Sequence, residues 1–312
     1  MSGVEEPEEA GTVTVVGVDA CPGGWVAVRL VDGRFAGASF AAELRALLDA
    51  SPAVVIGVDM PLGLRADGWR AADHAARAVL GPRRASVFLV PPRPVWELAD
   101  FAAANACCRA LTGNGLTQQA WGLRHKLLEA DALRLSRPRL LREVHPEVSF
   151  AAMAAIQDAD PAEQWLAMVA AAQETGDQLA GEVLAHGLAA YRVPGHAVPG
   201  HGVPGHAVPR RGLPGEGAPV GGAAAPVSAH LPLAHAKTTW AGAARRRALL
   251  RGAGIVLPDD LGPANPVPPV DVLDAAAVAW TAHRVAIVQA GCLPASPDVQ
   301  LDDRAEPIVI WY

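Results

Sequence analysis

Lysine is almost missing from this 312-residue chain: of 26 basic residues only Lys126 and Lys237 are lysines, so arginine must make most phosphate contacts. The skew reads as genomic composition rather than as a recognition device. Cysteine is scarce too. Cys21, Cys107, Cys108 and Cys292 form no C-x-x-C pair and are too few for a disulfide framework in a chain this long, which fits a reducing cytoplasm. No uncharged apolar run reaches the roughly 18 residues of a membrane span. The first residues, Met1-Ser-Gly-Val-Glu-Glu-Pro-Glu-Glu, are acidic where a secretory signal is basic and then apolar. A basic surplus is also lacking. A formal charge of -6 and a pI near 5.9 argue against broad, non-specific binding to nucleic acid, which needs a basic face to displace counterions. Any polyanion must meet a local patch.

What is present is apolar residue, at 51%, much of it alanine, which favours helices and buries little area per residue. Many short, Ala-rich helices around a sheet are expected. After an acidic leader over 1–11, Thr12–Asp19 reads as a buried strand, because a β-branched run ends at a polar residue and a Pro-Gly-Gly turn. Trp25–Val31 follows as its antiparallel partner, and Asp32-Gly33 turns the chain into a third strand, Arg34–Phe40. A helix over Ala41–Ala50 then makes the apolar run Ala53–Asp59 a parallel crossover strand. A large helical insertion over about 61–140 holds candidate helices at Ala71–Leu80, Val95–Leu111 and Gln118–Leu135.

Leu140–Val144 reads as a strand running into His145-Pro146-Glu147, where the proline marks a strand end. Helices are expected over Ser149–Gln157 and Pro161–Tyr191, closing a segment that spans 12–192. From Val193 the chain repeats VPGHA, VPGHG, VPGHA, VPRRG and LPGEG, so residues 193–229 are expected to be a mobile insertion. Its His196, His201 and His206 are metal donors in type, although a replicated coding repeat explains them as well. Residues 230–312 resume the domain, with a helix near Thr239–Gly252 and, after a Pro-rich loop, a long helix from Asp271.

Two apolar strands that each end on an aspartate, Asp19 and Asp59, carry the most chemistry, since ligands gather at the carboxyl ends of strands in α/β sheets. Either residue can also simply open a turn. Asp271 and Asp274 lie three apart and share a helix face; capping would equally explain Asp271. Asp274 precedes a wholly apolar stretch, where an unpaired acid is costly. Glu147 could ligate a metal and His145 could shuttle a proton. Acids gathered at one place need a cation, and carboxylates without a Cys/His set suit Mg²⁺ or Mn²⁺. Two such ions activate water in phosphodiester hydrolysis. For the substrate, Arg83, Arg84 and Arg93 are phosphate-binding candidates, and Gln119 and Trp121, with Gln118, could read or stack a base. The stretch Lys237-Thr-Thr and Arg245-Arg-Arg247 reads as one solvated helix face.

Several separated motifs stand in order: Gly17-Val-Asp19-Ala-Cys-Pro-Gly-Gly-Trp25, Asp59-Met-Pro-Leu-Gly63, Arg83-Arg84-Ala-Ser-Val-Phe88, Gln119-Ala-Trp-Gly122, Arg142-Glu-Val-His-Pro-Glu-Val-Ser-Phe150 and Asp271-Val-Leu-Asp274. Together they resemble a bacterial family of unknown function described as predicted ribonuclease-H-like nucleases, from about Val13 to Pro294. The resemblance implies an α/β fold with a mixed sheet, helices on both faces, and acids on the first strand, fourth strand and last helix binding the catalytic metals. Carried over, these are Asp19, Asp59 and Asp274. Asp271 resembles the second acid that Holliday-junction resolvases place one helical turn earlier. The expected function is metal-dependent hydrolysis of nucleic acid or a small phosphodiester. Two rivals remain: an actin-like or sugar-kinase-like phosphotransferase, whose phosphate loop would want Ser or Thr where Cys21-Pro22-Gly23-Gly24 stands, and a non-catalytic nucleic-acid or nucleotide binding module. Three expectations follow for the structure: about five strands, parallel neighbouring strands for Asp19 and Asp59, and the three aspartates within about 10 Å, given ligand distances near 2.0–2.6 Å.

Overall fold

The computed structural model describes residues 12–137, 140–158, 233–295 and 299–312. The leader, the helix expected over Pro161–Tyr191 and the pentapeptide repeat lie outside the described residues. Three strands open the chain, β1 (Thr14–Cys21), β2 (Gly24–Val31) and β3 (Arg34–Ala41), followed by helix α1 (Leu44–Asp49) and strand β4 (Val55–Val58). The first two pairings are antiparallel hairpins, whereas β4 returns parallel to β1, and a later strand, β5 (Leu141–Glu143), adds parallel to β4. The resulting five-stranded mixed sheet has the order β3-β2-β1-β4-β5. This is an α/β fold with the opening order that the ribonuclease-H-like expectation requires.

Between β4 and β5 run α2 (Ala71–Leu80), a 3₁₀ turn over Gly81–Ser86, α3 (Arg93–Glu97), α4 (Phe101–Thr112), α5 (Gln118–Gly122) and α6 (Arg124–Ser136). Two helices expected to be continuous are broken. Asp100 leaves the helical conformation and accepts from the Ala103 N–H at 2.9 Å, so it starts α4 as a cap where a helix from Val95 would have run through. Thr117 caps α5 in the same way, and α5 ends at Leu123, from which α6 starts afresh.

After β5, α7 (Pro146–Asp158) begins three residues earlier than expected. Proline lacks an N–H that a first helical turn would leave unbonded anyway, so His-Pro-Glu is a helix start and not merely a strand end. Among the described residues, helices α8 (Trp240–Gly252) and α9 (Pro269–Ala286) follow. Two short ribbons close the C-terminus, β6 (Cys292–Leu293) with β9 (Ile310–Trp311), and β7 (Gln300–Leu301) with β8 (Pro307–Ile308). No described helix is long and apolar enough to cross a membrane.

Strand alternation divides the core. Val16, Val18, Trp25, Ile56 and Val58 face α1 and α6, where Leu44, Leu47, Leu48, Leu127 and Leu133 are buried. Val15, Val26, Val28, Leu30 and Val55 face the other way, toward α2, α7 and α9. Every residue of α9 from Val272 to Ala282 is buried, as suits a helix that is apolar all round. Its approach to the sheet depends on two glycines. A Cβ on Gly17 would stand 2.0 Å from the Ala279 nitrogen and 2.2 Å from the Ala275 carbonyl oxygen; one on Gly57 would stand 2.7 Å from a Val278 methyl. Glycine at both positions, opposite Ala275 and Ala279 for Gly17 and Val278 for Gly57, lets this helix lie directly on β1 and β4.

Candidate active site: strand-end carboxylates under the last helix

The sequence Gly-Val-Asp occurs twice, and the sheet sets the two copies side by side. Gly17 pairs with Gly57 and Val18 with Val58 in parallel register, and the Asp59 N–H donates to the Val18 carbonyl at 2.8 Å. Because side chains alternate, Asp19 and Asp59 fall on the face of the glycines, beneath α9. That helix contributes Asp274, which has no solvent exposure, one residue before the Ala275 that seats on Gly17. The motif thus supplies both the close approach and the carboxylate.

The charges of these acids are felt mutually. Asp19, nearly fully buried, has its pKa raised well above the ordinary value by burial first and then by Asp59 and Asp274. Asp59 is pushed up to about 6, again chiefly by burial, with the Lys237 ammonium and a hydrogen bond to Asp19 opposing. Asp274 is likewise pushed up to about 6 by burial, opposed by Lys237. Asp271, half-buried, is raised by burial and opposed by Lys237 and Lys126. It does not cap the helix. Pro268 occupies the cap position and Asp271 lies inside the first turn, so capping no longer accounts for it.

Glu147 joins this group from the first turn of α7, and its charge bears on both Asp59 and Asp274. It is buried and paired, with the Arg246 guanidinium at 2.6 Å and that of Arg83 at 3.7 Å. Ser149 and Thr281, 2.8 Å apart, tie α7 to α9 behind it. His145 immediately precedes α7, its Nε2 3.3 Å from the Ser86 carbonyl oxygen and its Nδ1 buried without a partner. Burial lowers its pKa, against Ser86, Glu147 and Asp274, which raise it. With Nε2–H donating to Ser86, Nδ1 carries a free lone pair.

Two residues of the site were read from sequence as a solvated helix face. Lys237 places its Nζ 2.5 Å from Asp274 Oδ2, and the negative field of Asp274, Asp59 and Asp19 outweighs burial to raise its pKa. Arg246 has no exposed surface and lies over the Phe150 ring at 5.4 Å. The chain's other lysine, Lys126, borders the same place: its Nζ donates to the Cys21 carbonyl at 2.7 Å and to the Gly24 carbonyl, and stands 5.0 Å from the Trp25 ring centroid. The available signal was composition, since a chain that uses arginine almost everywhere kept lysine at just these two positions.

The substrate-side candidates divide. Arg83 reaches Glu147, and Arg84 lies exposed in the same 3₁₀ turn. Arg93 is bound instead by Asp131 at 2.9 Å and by Asp303, so its charge is already balanced. Trp121 packs edge-on to Phe101 with Arg124 over its ring, a core role, and Gln119 is exposed on α5. Glu143, also at a strand end, points to the opposite face of the sheet, where Arg70 and the Leu62 N–H hold it; burial pushes it up to about 7.

One family model matches residues 17–188 and 223–299, most of the chain. The chain belongs to that family, the protein of unknown function (DUF429) family. Asp19, Asp59, Glu147, Asp271 and Asp274 of this DUF429 chain all fall inside the matched residues. No curated protein and no solved structure matches it.

The donors of this DUF429 site are hard carboxylate oxygens, and Asp274 Oδ1 is buried without a hydrogen-bond partner, which fits Mg²⁺ or Mn²⁺. Among the described residues no group of three or more Asp, Glu, His or Cys side chains is arranged so that it could hold a metal ion as it stands. The Lys237 ammonium stands among the acids and relieves part of their repulsion.

Proposed function

We propose that this protein is a metal-dependent nuclease or phosphodiesterase of the ribonuclease-H-like kind, acting in the cytoplasm on nucleic acid or a small phosphodiester. The observation that carries the reading is the in-register pair of Gly-Val-Asp strands with Asp274 laid across them by α9. Asp19, Asp59 and Asp274 would hold Mg²⁺ or Mn²⁺, joined by Asp271 or Glu147. When bound, the ion supplies an activated water and neutralises charge on the phosphate. The chain's own groups do the rest. Arg83 and Arg84 offer guanidinium donors to phosphate oxygens at the rim, in keeping with an acidic protein that must meet a polyanion through a local patch. His145, whose lowered pKa keeps it neutral near pH 7, can accept a proton at Nδ1. Four free thiols suit a reducing compartment.

The test is hydrolysis of a panel of single- and double-stranded DNA, RNA, branched junctions and small phosphodiesters, with Mg²⁺, Mn²⁺ or EDTA. Hydrolysis should require the ion. Asp19→Asn keeps the side-chain shape but removes a charge, so it should lower ion affinity and turnover together while the circular-dichroism spectrum is retained. Turnover that survives EDTA or Asp19→Asn would sink the reading. Ion binding without turnover on any substrate would favour a binding module instead.

A further inference from the structure

The charges around this site do not balance in a way that leaves room for two ions. Glu147 is matched by the buried guanidinium of Arg246, and Asp274 is matched on Oδ2 by the Lys237 ammonium. Asp271, half-buried, feels Lys126 as well as Lys237, so Asp19, buried, and Asp59, partly buried, remain as the acids without a salt-bridge partner, and their combined charge is that of one divalent ion. Asp274 has the form of a bridging carboxylate: one oxygen is on the ammonium, and the other, fully buried, has no partner and is free to face a second cation.

We infer that Lys237 is a resident cation of this site, its ammonium standing where a second metal ion would otherwise be needed, so that the protein binds one divalent ion per chain. This rests on the carboxylate site proposed above and specifies how it is filled. Lysine suits the role because its ammonium is a compact point charge with three donors, comparable in demand to a small cation. A guanidinium is a flat fork that reaches bidentate partners but cannot enter a cluster of converging carboxylates in the same way. Part of the Lys237 side chain is solvent-accessible, at 40%, whereas Asp19 and Asp274 are buried, so the ammonium enters the cluster from its open side.

The experiment is a titration of the full-length protein with Mn²⁺, followed by calorimetry and by the electron-paramagnetic-resonance signal of free ion, for wild type, Lys237→Ala and Lys237→Arg. One Mn²⁺ per chain is expected for wild type. Lys237→Ala should take up a second ion, raising the count to two, and its ion-free melting temperature should fall below wild type and recover with Mn²⁺. Lys237→Arg should not restore the wild-type ion affinity. Two ions on the wild-type protein would overturn the inference without any reliance on a variant, as would Lys237→Ala binding one ion with unchanged affinity. One ion on wild type and two on Lys237→Ala, with no hydrolysis of any substrate, would uphold the inference while removing the nuclease reading. No Mn²⁺ binding to any of the three would overturn both.

Discussion

Replacing Gly17 by alanine adds a single methyl group, yet the structure makes it one of the most damaging small changes available. The new Cβ would stand 2.0 Å from the Ala279 nitrogen and 2.2 Å from the Ala275 carbonyl oxygen, both backbone atoms of the buried helix α9. No side chain can rotate aside to make room. Ordinary contact distance requires the helix to retreat by about 1 Å or more, in a core packed as densely as an organic crystal. Overpacking by one methylene in a rigid core costs about 1–3 kcal/mol, and contact with backbone puts this case at about 3 kcal/mol or above. At roughly 2–4 °C per kcal/mol for a domain of this size, the melting temperature should drop by about 6–12 °C. Asp274 rides on the same helix, and a displacement of about 1 Å at a reacting centre can cost on the order of 100-fold in rate. Ion affinity and turnover should therefore fall even at temperatures where Gly17→Ala is folded. Gly122 is the control, because a Cβ there meets nothing within 4 Å and the position is the last of a helix. Scanning calorimetry on the two variants reads the difference directly. If Gly17→Ala melted within about 2 °C of Gly122→Ala, on the same scale, the seating of α9 on β1 described above would be wrong.

Two further predictions use the same site. The folded state holds a proton on Asp59 up to about pH 6, above the ordinary value of 3.8, so the native protein binds protons more tightly than the unfolded chain. The stability this gives is complete below about pH 4 and is lost as pH rises through about 6, amounting to about 3 kcal/mol for the group. Ion-free protein should accordingly melt lower as pH goes from 4 to 7, with Asp19 and Asp274 adding to the trend; Asp59→Asn should reduce that slope and saturating Mg²⁺ should remove it, and a slope unchanged by Asp59→Asn would refute the assignment. Arg246→Met strips the buried Glu147 carboxylate of its closer partner, leaving only Arg83 at 3.7 Å, and since breaking a buried pair outright costs about 3–5 kcal/mol, a loss toward the lower end of that range is expected. The double variant Arg246→Met/Glu147→Gln should recover a good part of that stability in denaturant titration, whereas equal midpoints for single and double variants would show that charge is not the cause.

Much of this architecture was readable from local pattern. Short β-branched runs separated by Pro-Gly and Asp-Gly turns specify the hairpins, and a helix between two apolar runs specifies the parallel crossover that brings β4 beside β1. An alternation of period two, applied to two copies of Gly-Val-Asp, puts Asp19 and Asp59 on one face. Local pattern also misled where two short-range signals competed: Asp100 starts a new helix where apolar periodicity runs on, the helix expected over Gln118–Leu135 breaks at Leu123, and Pro146 starts one where it looked like a stop.

What the chain pattern could not convey is which charges meet. Lys237 and Asp274 are 37 residues apart, and Arg246 and Glu147 are 99 apart. In sequence, Lys237 and Arg246 belong to a polar stretch of ordinary appearance, and Arg93 looks as free as Arg83. Packing of α8 against α7 and α9 buries Arg246 beside Glu147, and the turn before α8 delivers Lys237 to Asp274, while Asp131 and Asp303 capture Arg93. The strand-end acids were determined by the sequence itself, because alternation and turn chemistry act between neighbours. Their counter-charges were decided only by the tertiary structure, because an ion pair is chosen by burial and distance in space.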